Sequence, residues 1–519
     1  MYEATHWEID VSAAENSFSA TYNIARQRFV HAAQERGFAH EAVMHPEQDP
    51  LLPVAVVDVV RIGPRDASKV LFVTSGVHGT ELTAGSGIQL QLIETFSDTL
   101  PQDFAMVLVH AVNPVGCARL SRTDENNVDP NRNLVASFDD LPENPEYTAL
   151  HSALCPTKWT DDVPVRDQSL LDYVVENGEK ALVQNVLKGQ HSHPDGLFFG
   201  GTAESWTVSN LTRIVRDHGL GAKQLGVVDL HTGVGPYGFG EVMRMDKPPL
   251  VGSEWEKIGN LMCDVLDRVE AERPPLKIIM EFGTYPFDRV LNNLRADNWL
   301  RHHGTVHTSQ GREIKKDLQD ALFADDPKWL VEVSRQGIEV CQQALNEMAQ
   351  VDAVLQRFEQ TIAGAASAEA IFQHLEDAAQ EHIGVKLFTV MDYVESRNMG
   401  RRCYTNSPES YPASGWIALR DNNWFDCVIR NQKTYVANDI DHIIQDFADA
   451  DLIASLGCGA IVNLPLVQEG HVIATVNLLN SAGYFNNQKL EDAHRFLLPL
   501  ARMAYFASSK LAQQKPITE

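Results

Sequence analysis

The sequence predicts an α/β protein: a mixed, mostly parallel sheet with helices on both faces over residues 1–346, then a smaller α/β module over residues 347–519. Three observations carry this expectation. Short, nearly continuous apolar runs (Val54–Arg61, Val70–Thr74, Phe104–His110, Gln224–Leu230 and Leu276–Glu281) read as strands buried on both faces, and helical stretches alternate with them. A chain of 519 residues exceeds one ordinary domain. Near residue 346 the texture changes to a long helical stretch, followed by a second series of strand-like runs.

Taken in order, residues 14–38 carry helical periodicity and read as a helix capping the first strand. A second helix is expected from about Glu81 to Phe96. From 136 to 201 the pattern breaks into Pro-, Asp-, Glu- and Gly-rich sequence with short helical pieces such as Leu170–Leu187, an expected insertion at one end of the sheet, where clefts are built. Helical Glu254–Glu270 and Lys328–Met348 complete the first region. Beyond the boundary, Gln350–Ile383 is helical with an interruption at Ala363–Ser367. Lys386–Val394, Thr434–Val436, Gly459–Val467 and His471–Leu479 read as strands, the last two as a hairpin turning at Glu469-Gly470, and Gln488–Leu511 reads as a closing helix.

Composition excludes several classes. The chain is 44% hydrophobic and 22% charged, as globular proteins are, and no apolar run approaches the ~18 residues of a membrane span. The first residues lack a basic stretch followed by an apolar core, so a cytoplasmic protein is expected. A formal charge of -27 argues against a nucleic-acid partner, because phosphate contacts need clustered Lys and Arg. Seven scattered cysteines, none in a CxxC pair, argue against a disulfide framework and a thiolate zinc site.

The chemistry lies where strands end. After the second run stand His78 and Glu81, whose spacing on a tight turn can aim an imidazole nitrogen and a carboxylate oxygen at one cation. Zinc favours such a mix, and a catalytic zinc usually takes three protein ligands. Alone, HxxE is a weak signal. His231, at the end of Gln224–Leu230, is the natural third ligand, and Glu281, at the end of Leu276–Met280, is placed to take a proton from water. Asp229 receives no role, on the ground that strand alternation points it differently from Leu230. The loop NPVGCARLSRTDENNVDPNRNL supplies Arg122, Asn131 and Arg132, groups able to bind a substrate carboxylate or a developing oxyanion; the simpler alternative is that its arginines tie the loop together through Asp124 and Asp129. The remaining histidines, including His302-His303 and His191-Ser192-His193, are expected on the surface or in loops.

The ordered set His78-x-x-Glu81, Asn113-Pro114-x-Gly116, Arg122, Asp129-x-Asn131-Arg132-Asn133, His231 and Glu281 resembles the zinc carboxypeptidase (carboxypeptidase A-like) family. With GLFFGG, DLHTGVGPYG and EFGT, it is similar to a bacterial branch of that family over roughly residues 15 to 345. The resemblance implies one Zn2+ held by His78, Glu81 and His231, with Glu281 as general base and Arg122 polarising the scissile carbonyl. It also implies Asn131 and Arg132 on the substrate's terminal carboxylate and an active-site tyrosine, a place for which Tyr237 and Tyr285 compete. Leu134 departs from the aromatic residue that frequently follows NRN.

Residues 350–519 resemble a GAF domain through TYVANDI, the hairpin GAIVNLPLVQEGHVIATVNLLNS and the helix after Tyr484-Phe485, which implies a small-molecule ligand and homodimerisation through flanking helices. Cys427 and Cys458 sit where some methionine-sulfoxide-reducing GAF proteins place thiols, but buried inert thiols are the expectation. The function expected is hydrolysis of an amide bond next to a free carboxylate in a small peptide. The alternatives are an N-acyl amino acid deacylase or small-molecule amidase on the same zinc, and a ligand sensor carrying a vestigial hydrolase scaffold.

Overall fold

The computed structural model describes residues 16–97, 99–160, 168–246, 261–394, 397–468 and 471–514. Two compact units make up the chain, Met1–Met348 and Ala349–Glu519.

Unit 1 is built on a seven-stranded sheet of β1 (Ala39–Met44), β2 (Val56–Ile62), β3 (Lys69–Ser75), β4 (Phe104–His110), β5 (Gln224–Gly233), β6 (Gly240–Arg244) and β7 (Leu276–Gly283), in the order β1-β2-β4-β3-β5-β7-β6. Helices cover both faces of this mixed sheet. It is not mostly parallel: β4-β3, β3-β5 and β5-β7 are parallel, while β1-β2, β2-β4 and β6-β7 are antiparallel. The sequence pattern misses the two edge strands. β1 is largely exposed and lacks the doubly buried run that marks β2 to β5, and β6 is only five residues long. The helix capping the first strand is Tyr22–Glu35, and it leads into β1 rather than directly into β2.

On one face Val70, Phe72, Val107, Val227 and Ile279 pack with the helix Trp206–Gly219 and the turn Met262–Arg268. The residues 254–260 of the expected helix Glu254–Glu270 lie outside the described residues; its remainder contains that 3-10 turn. On the other face the helix Leu82–Phe96 packs against β3 and β5. Its buried Gln89 donates to the carbonyls of Val73 and Val109 and accepts from Ser75 Oγ, fixing the helix against β3 and β4. The insertion resolves into helices Pro145–Leu154, Gln168–Asn177 and Glu179–Leu187, the last two separated by Gly178 at φ +85. Two helices that the sequence reading passes over, Phe287–His303 and Ser309–Leu322, follow β7.

Unit 2 holds a six-stranded, wholly antiparallel sheet in the order β10-β9-β8-β13-β12-β11, formed by β8 (Leu387–Val394), β9 (Met399–Thr405), β10 (Ile417–Ala418), β11 (Tyr435–Ala437), β12 (Ala460–Gln468) and β13 (His471–Asn480). β12 and β13 pair down to Gln468↔His471, while the expected turn residues Glu469-Gly470 lie outside the described residues. Helices Ala368–His382 and Leu498–Gln514 bury Leu375, Ala379, Leu500 and Ala504 against Phe388, Val390, Val462 and Val476 on one face. Below the other face lies a cavity of about 340 Å³ whose walls include Tyr393, Arg402, Trp424, Phe447, Asn463 and Asn477. Cys427 is half-buried and Cys458 is buried, and burial raises both thiol pKa values.

The turn after β3 tolerates little. A Cβ on Gly79 would sit 2.0 to 2.4 Å from the backbone of Gly116 and Cys117, so only glycine allows the strand end and the helix Pro114–Arg119 to approach. Gly79→Ala is expected to cost about 1–3 kcal/mol in urea-induced unfolding, the range for overpacking. An unchanged midpoint would show that this contact is loose.

Candidate metal centre

β3, β5 and β7 are adjacent and parallel, so their carboxyl ends open on one side of the sheet, the place where α/β sheets bind ligands. His78 stays extended beyond β3 at φ -98, and the 3-10 turn Gly79–Glu81 then carries the Glu81 carboxylate back toward it. In the β5-β7 register His231 pairs with Glu281. Three of the sequence-selected residues therefore converge: candidate ligand atoms of His78, Glu81 and His231 lie within 4.8 Å of one another, and all three side chains are buried. The two rings are 4.8 Å apart.

Each of the two histidine rings lies between two carboxylates. Nδ1 of His78 lies 2.8 Å from Glu81 Oε1, and Nδ1 of His231 lies 2.9 Å from Glu81 Oε2. Each ring turns its other nitrogen to a second carboxylate: Nε2 of His78 meets Asp129 Oδ1 at 3.2 Å, and Nε2 of His231 meets Asp229 Oδ2 at 2.8 Å. With Nε2–H donating to those aspartates, both Nδ1 lone pairs point at Glu81, an arrangement that needs a proton or a cation between them. A metal-ligating histidine commonly donates its far N–H to a carboxylate in this way. The same contacts shift the charges. With protons rather than an ion between the rings and Glu81, burial would raise the Glu81 carboxyl, but the charge of His78 and the hydrogen bond from His231 hold it well below its usual range. Burial would lower His231, but Asp229 and Glu81 raise it well above its usual value.

Asp229 corrects the sequence reading. Residues two apart on a strand share a face, so the relevant neighbour was His231 and not Leu230. The signal was present as Asp-x-His inside β5. Asp129 is likewise more than a loop tie, because it receives Arg122 Nε at 2.9 Å and the backbone N–H of Asn131 at 2.9 Å while meeting His78. Asp124 instead accepts the backbone N–H groups of Asn126 and Val128.

Arg122 bridges Asp129 and Glu81 Oε1, the latter at 3.2 Å, and lies over the Phe198 ring at 4.6 Å. Its Nη2 has no hydrogen-bond partner among the described residues. Asn131 reaches His231 Nε2 at 3.3 Å and accepts from the Met262 N–H at 2.7 Å. Arg132 is buried and donates through Nε and Nη2 to the Leu187 carbonyl and through Nη1 to the Asn131 carbonyl, which commits three of its five N–H donors to the backbone. Burial pushes its pKa down to about 10. Glu281 accepts from the Val234 N–H at 3.1 Å, and burial together with the nearby Glu81 charge raises its carboxyl to about 7.

These residues line one cavity of about 70 Å³, whose remaining wall is apolar, with Phe198, Met243, Ile279, Phe287 and Leu294 among its members. Tyr237 does not join them. It is 49% exposed, donates to Asp326 Oδ2 at 3.0 Å, and its ring lies tilted beside that of Tyr285, with centroids 5.9 Å apart. Tyr285 in turn lies under Arg289, and neither tyrosine lines the cavity. Phe198, from GLFFGG, is the wall residue the sequence reading did not single out.

A family profile described as "Protein of unknown function (DUF2817)" matches residues 18–254 and 248–336, more than half of the chain. The chain belongs to the DUF2817 family. The DUF2817 match contains every residue of this centre. No curated protein matches the chain. Among solved structures it is similar to the GAF domain/HD domain protein from Geobacter sulfurreducens (11% identity, covering 29% of this chain and 98% of that one, TM-score 0.24). It is also similar to the GAF domain of a two-component sensor histidine kinase from Bacillus halodurans (10% identity, 29% and 100%, TM-score 0.25). A third is free methionine-R-sulfoxide reductase from Neisseria meningitidis in complex with its substrate (15% identity, 31% and 92%, TM-score 0.24). No helix among the described residues is long and apolar enough to cross a membrane.

The two aspartates give a direct check on this geometry. If the centre holds a divalent ion, Asp229→Asn is expected to weaken its retention by about 10- to 100-fold, the usual effect of losing a ligand's outer carboxylate, as read by competition with a chromophoric chelator. Unchanged affinity would mean that Asp229 does not orient His231 toward an ion.

Proposed function

We propose that this DUF2817 protein is a zinc-dependent hydrolase that cleaves an amide bond next to a free carboxylate in a small peptide-like substrate. The single observation carrying this reading is the convergence of His78, Glu81 and His231, each imidazole backed by its own aspartate, beside Glu281 in one cavity. The donor set fits zinc: two nitrogens and one carboxylate, with both Nδ1 atoms turned toward the Glu81 carboxylate and no thiolate involved. Bound there, zinc supplies a Lewis acid and lowers the pKa of water toward neutrality.

The chain's own residues account for the rest. Glu281, with its carboxyl raised to about 7, takes a proton from water and later returns it to the departing amine. The bond formed is carbon to oxygen and the bond broken is carbon to nitrogen, so the proton balance closes on one carboxylate. Arg122 keeps Nη2 available to the oxyanion that develops on the carbonyl. Arg132 retains two N–H donors for a substrate carboxylate beside Asn131. One observation favours the deacylase alternative: the apolar wall suits the acyl chain of an N-acyl amino acid. Released amine from matched peptides and N-acyl amino acids separates the two.

For unit 2 we infer a GAF-like ligand-binding role, supported by the 340 Å³ cavity with its aromatic walls and the Asn463–Asn477–Thr389 hydrogen-bond chain.

Glu281→Gln is expected to lower kcat by ~100-fold or more while zinc content stays unchanged. Full activity with zinc bound would overturn the assignment. Because the base acts only when deprotonated, kcat/KM is expected to fall about tenfold per pH unit below an acidic limb at or below about 7. The charge of a bound ion pulls that limb lower, and in Glu281→Gln it should vanish.

A further inference from the structure

A second group of ligand-type side chains lies away from the His78 centre. His151 is on the helix Pro145–Leu154, and His193 and Asp195 are on the loop that follows Glu179–Leu187. One candidate ligand atom from each lies within 4.8 Å of the others. The imidazole rings stack, with centroids 3.9 Å apart and planes 13° from parallel. His151 Nε2 stands 3.6 Å from Asp195 Oδ1, too far for a hydrogen bond. His151 Nδ1 and His193 Nε2 are both buried and have no partner among the described residues. Buried ring nitrogens normally find partners. The nitrogen of His151 that faces Asp195 is Nε2, so the bare atoms show two rings with unspent hydrogen-bonding capacity, and the grouping of one ligand atom from each of the three residues marks the place that a cation would complete.

The frame around them is fixed while the ligand atoms stay uncommitted. Gln190 Oε1 accepts the backbone N–H groups of Ser192 and His193 at 2.8 and 2.7 Å, and its Nε2 donates to the His193 carbonyl at 2.8 Å. Asn127 Nδ2 donates to the Pro194 and Gly196 carbonyls, both at 2.9 Å, and Asn298 Nδ2 donates to the Asp195 carbonyl at 3.0 Å. The backbone carrying two of the three groups is therefore held from three sides, which fixes where the side chains start while leaving the rings free to reorient. Burial, and then the neighbouring His193, lower the pKa of His151, favouring the neutral form that can ligate. The exposed Asp195 side chain leaves an entry path from solvent.

We propose that His151, His193 and Asp195 form a second divalent-cation site, whose two nitrogens and one carboxylate suit zinc or a related late first-row ion. Imidazole lone pairs lie in the ring planes, and parallel planes do not converge, so binding requires one ring to tilt out of the stack. The same loop runs on to Phe198, which supports Arg122, and to Phe199, whose carbonyl accepts the Asp129 N–H at 2.7 Å. An ion tying this loop to Pro145–Leu154 would stiffen the wall on which Arg122 and Asp129 rest. This is a structural and positioning role, independent of the chemistry assigned to the first centre.

The test uses the full chain, stripped with a chelator and titrated with zinc chloride, with zinc per chain measured after gel filtration and thermal midpoints recorded with and without zinc. The wild type is expected to retain two ions. His193→Ala and Asp195→Asn are each expected to retain one, and to lose part of the zinc-induced rise in midpoint. In a His78→Ala background, His193→Ala should remove the ion that remains. Asp195→Asn, on an exposed side chain, serves if His193→Ala fails to fold. If Asp195→Asn retains as much zinc as the wild type, or the second ion does not survive gel filtration, the proposal is overturned. If only His78→Ala leaves the stoichiometry unchanged, the first centre fails and this one stands.

Discussion

Glu81 is the constraint on which unit 1 turns. Its carboxylate is buried among Nδ1 of His78, Nδ1 of His231, Arg122 and the Thr232 N–H, and two further buried carboxylates, Asp129 and Asp229, stand behind the histidines. Burying three carboxylates in so small a volume is expensive unless positive charge accompanies them. Arg122 accounts for part of that charge, and the imidazoles can carry the rest only as cations. A divalent ion between the two Nδ1 atoms and Glu81 would satisfy the same electrostatics with both rings neutral. The fold serves this requirement at each step: adjacent parallel strands bring His78 and His231 to one side, Gly79 lets the turn pack on Gly116, and Asp129 caps the turn that presents Asn131 and Arg132.

How much of this could be read from the chain depended on the kind of signal each residue leaves. The doubly buried strands β2 to β5 and β7 announce themselves as apolar runs, and the polar residues at their ends are conspicuous for that reason. β1 and β6 leave no such mark, because edge strands need only one protected face, and their omission made the sheet look more parallel than it is. Asp229 was visible but misjudged through the wrong neighbour. The roles of Phe198 and the Leu187 carbonyl were not legible at all, since they depend on the insertion folding back over Arg122 and Arg132. Tyr237 was selected by resemblance, and a surface contact with Asp326 explains its position instead.

Arg132 shows how the cavity departs from a simple carboxylate clamp. Its guanidinium holds the Leu187 carbonyl at the end of Glu179–Leu187 and the Asn131 carbonyl, so it organises the insertion while lining the cavity. The neighbouring Phe198 ring lies beneath both arginines and brings an apolar surface close to the polar end. Specificity would then be set by the insertion and the Phe287–His303 helix more than by the residues nearest the ion. Unit 2, with its own sheet, core and cavity, presents a separate chemistry of aromatic walls and side-chain amides.

The central claim is that the His78, Glu81 and His231 group holds zinc. Anomalous diffraction from crystals of the full chain, recorded on either side of the zinc absorption edge, tests it most directly. A peak is expected within about 2.0–2.2 Å of Nδ1 of both histidines and a Glu81 oxygen, with Asp129 and Asp229 still on the Nε2 atoms. A zinc-replete crystal with no peak there, and with both imidazoles hydrogen-bonded to Glu81 as they stand, would contradict it.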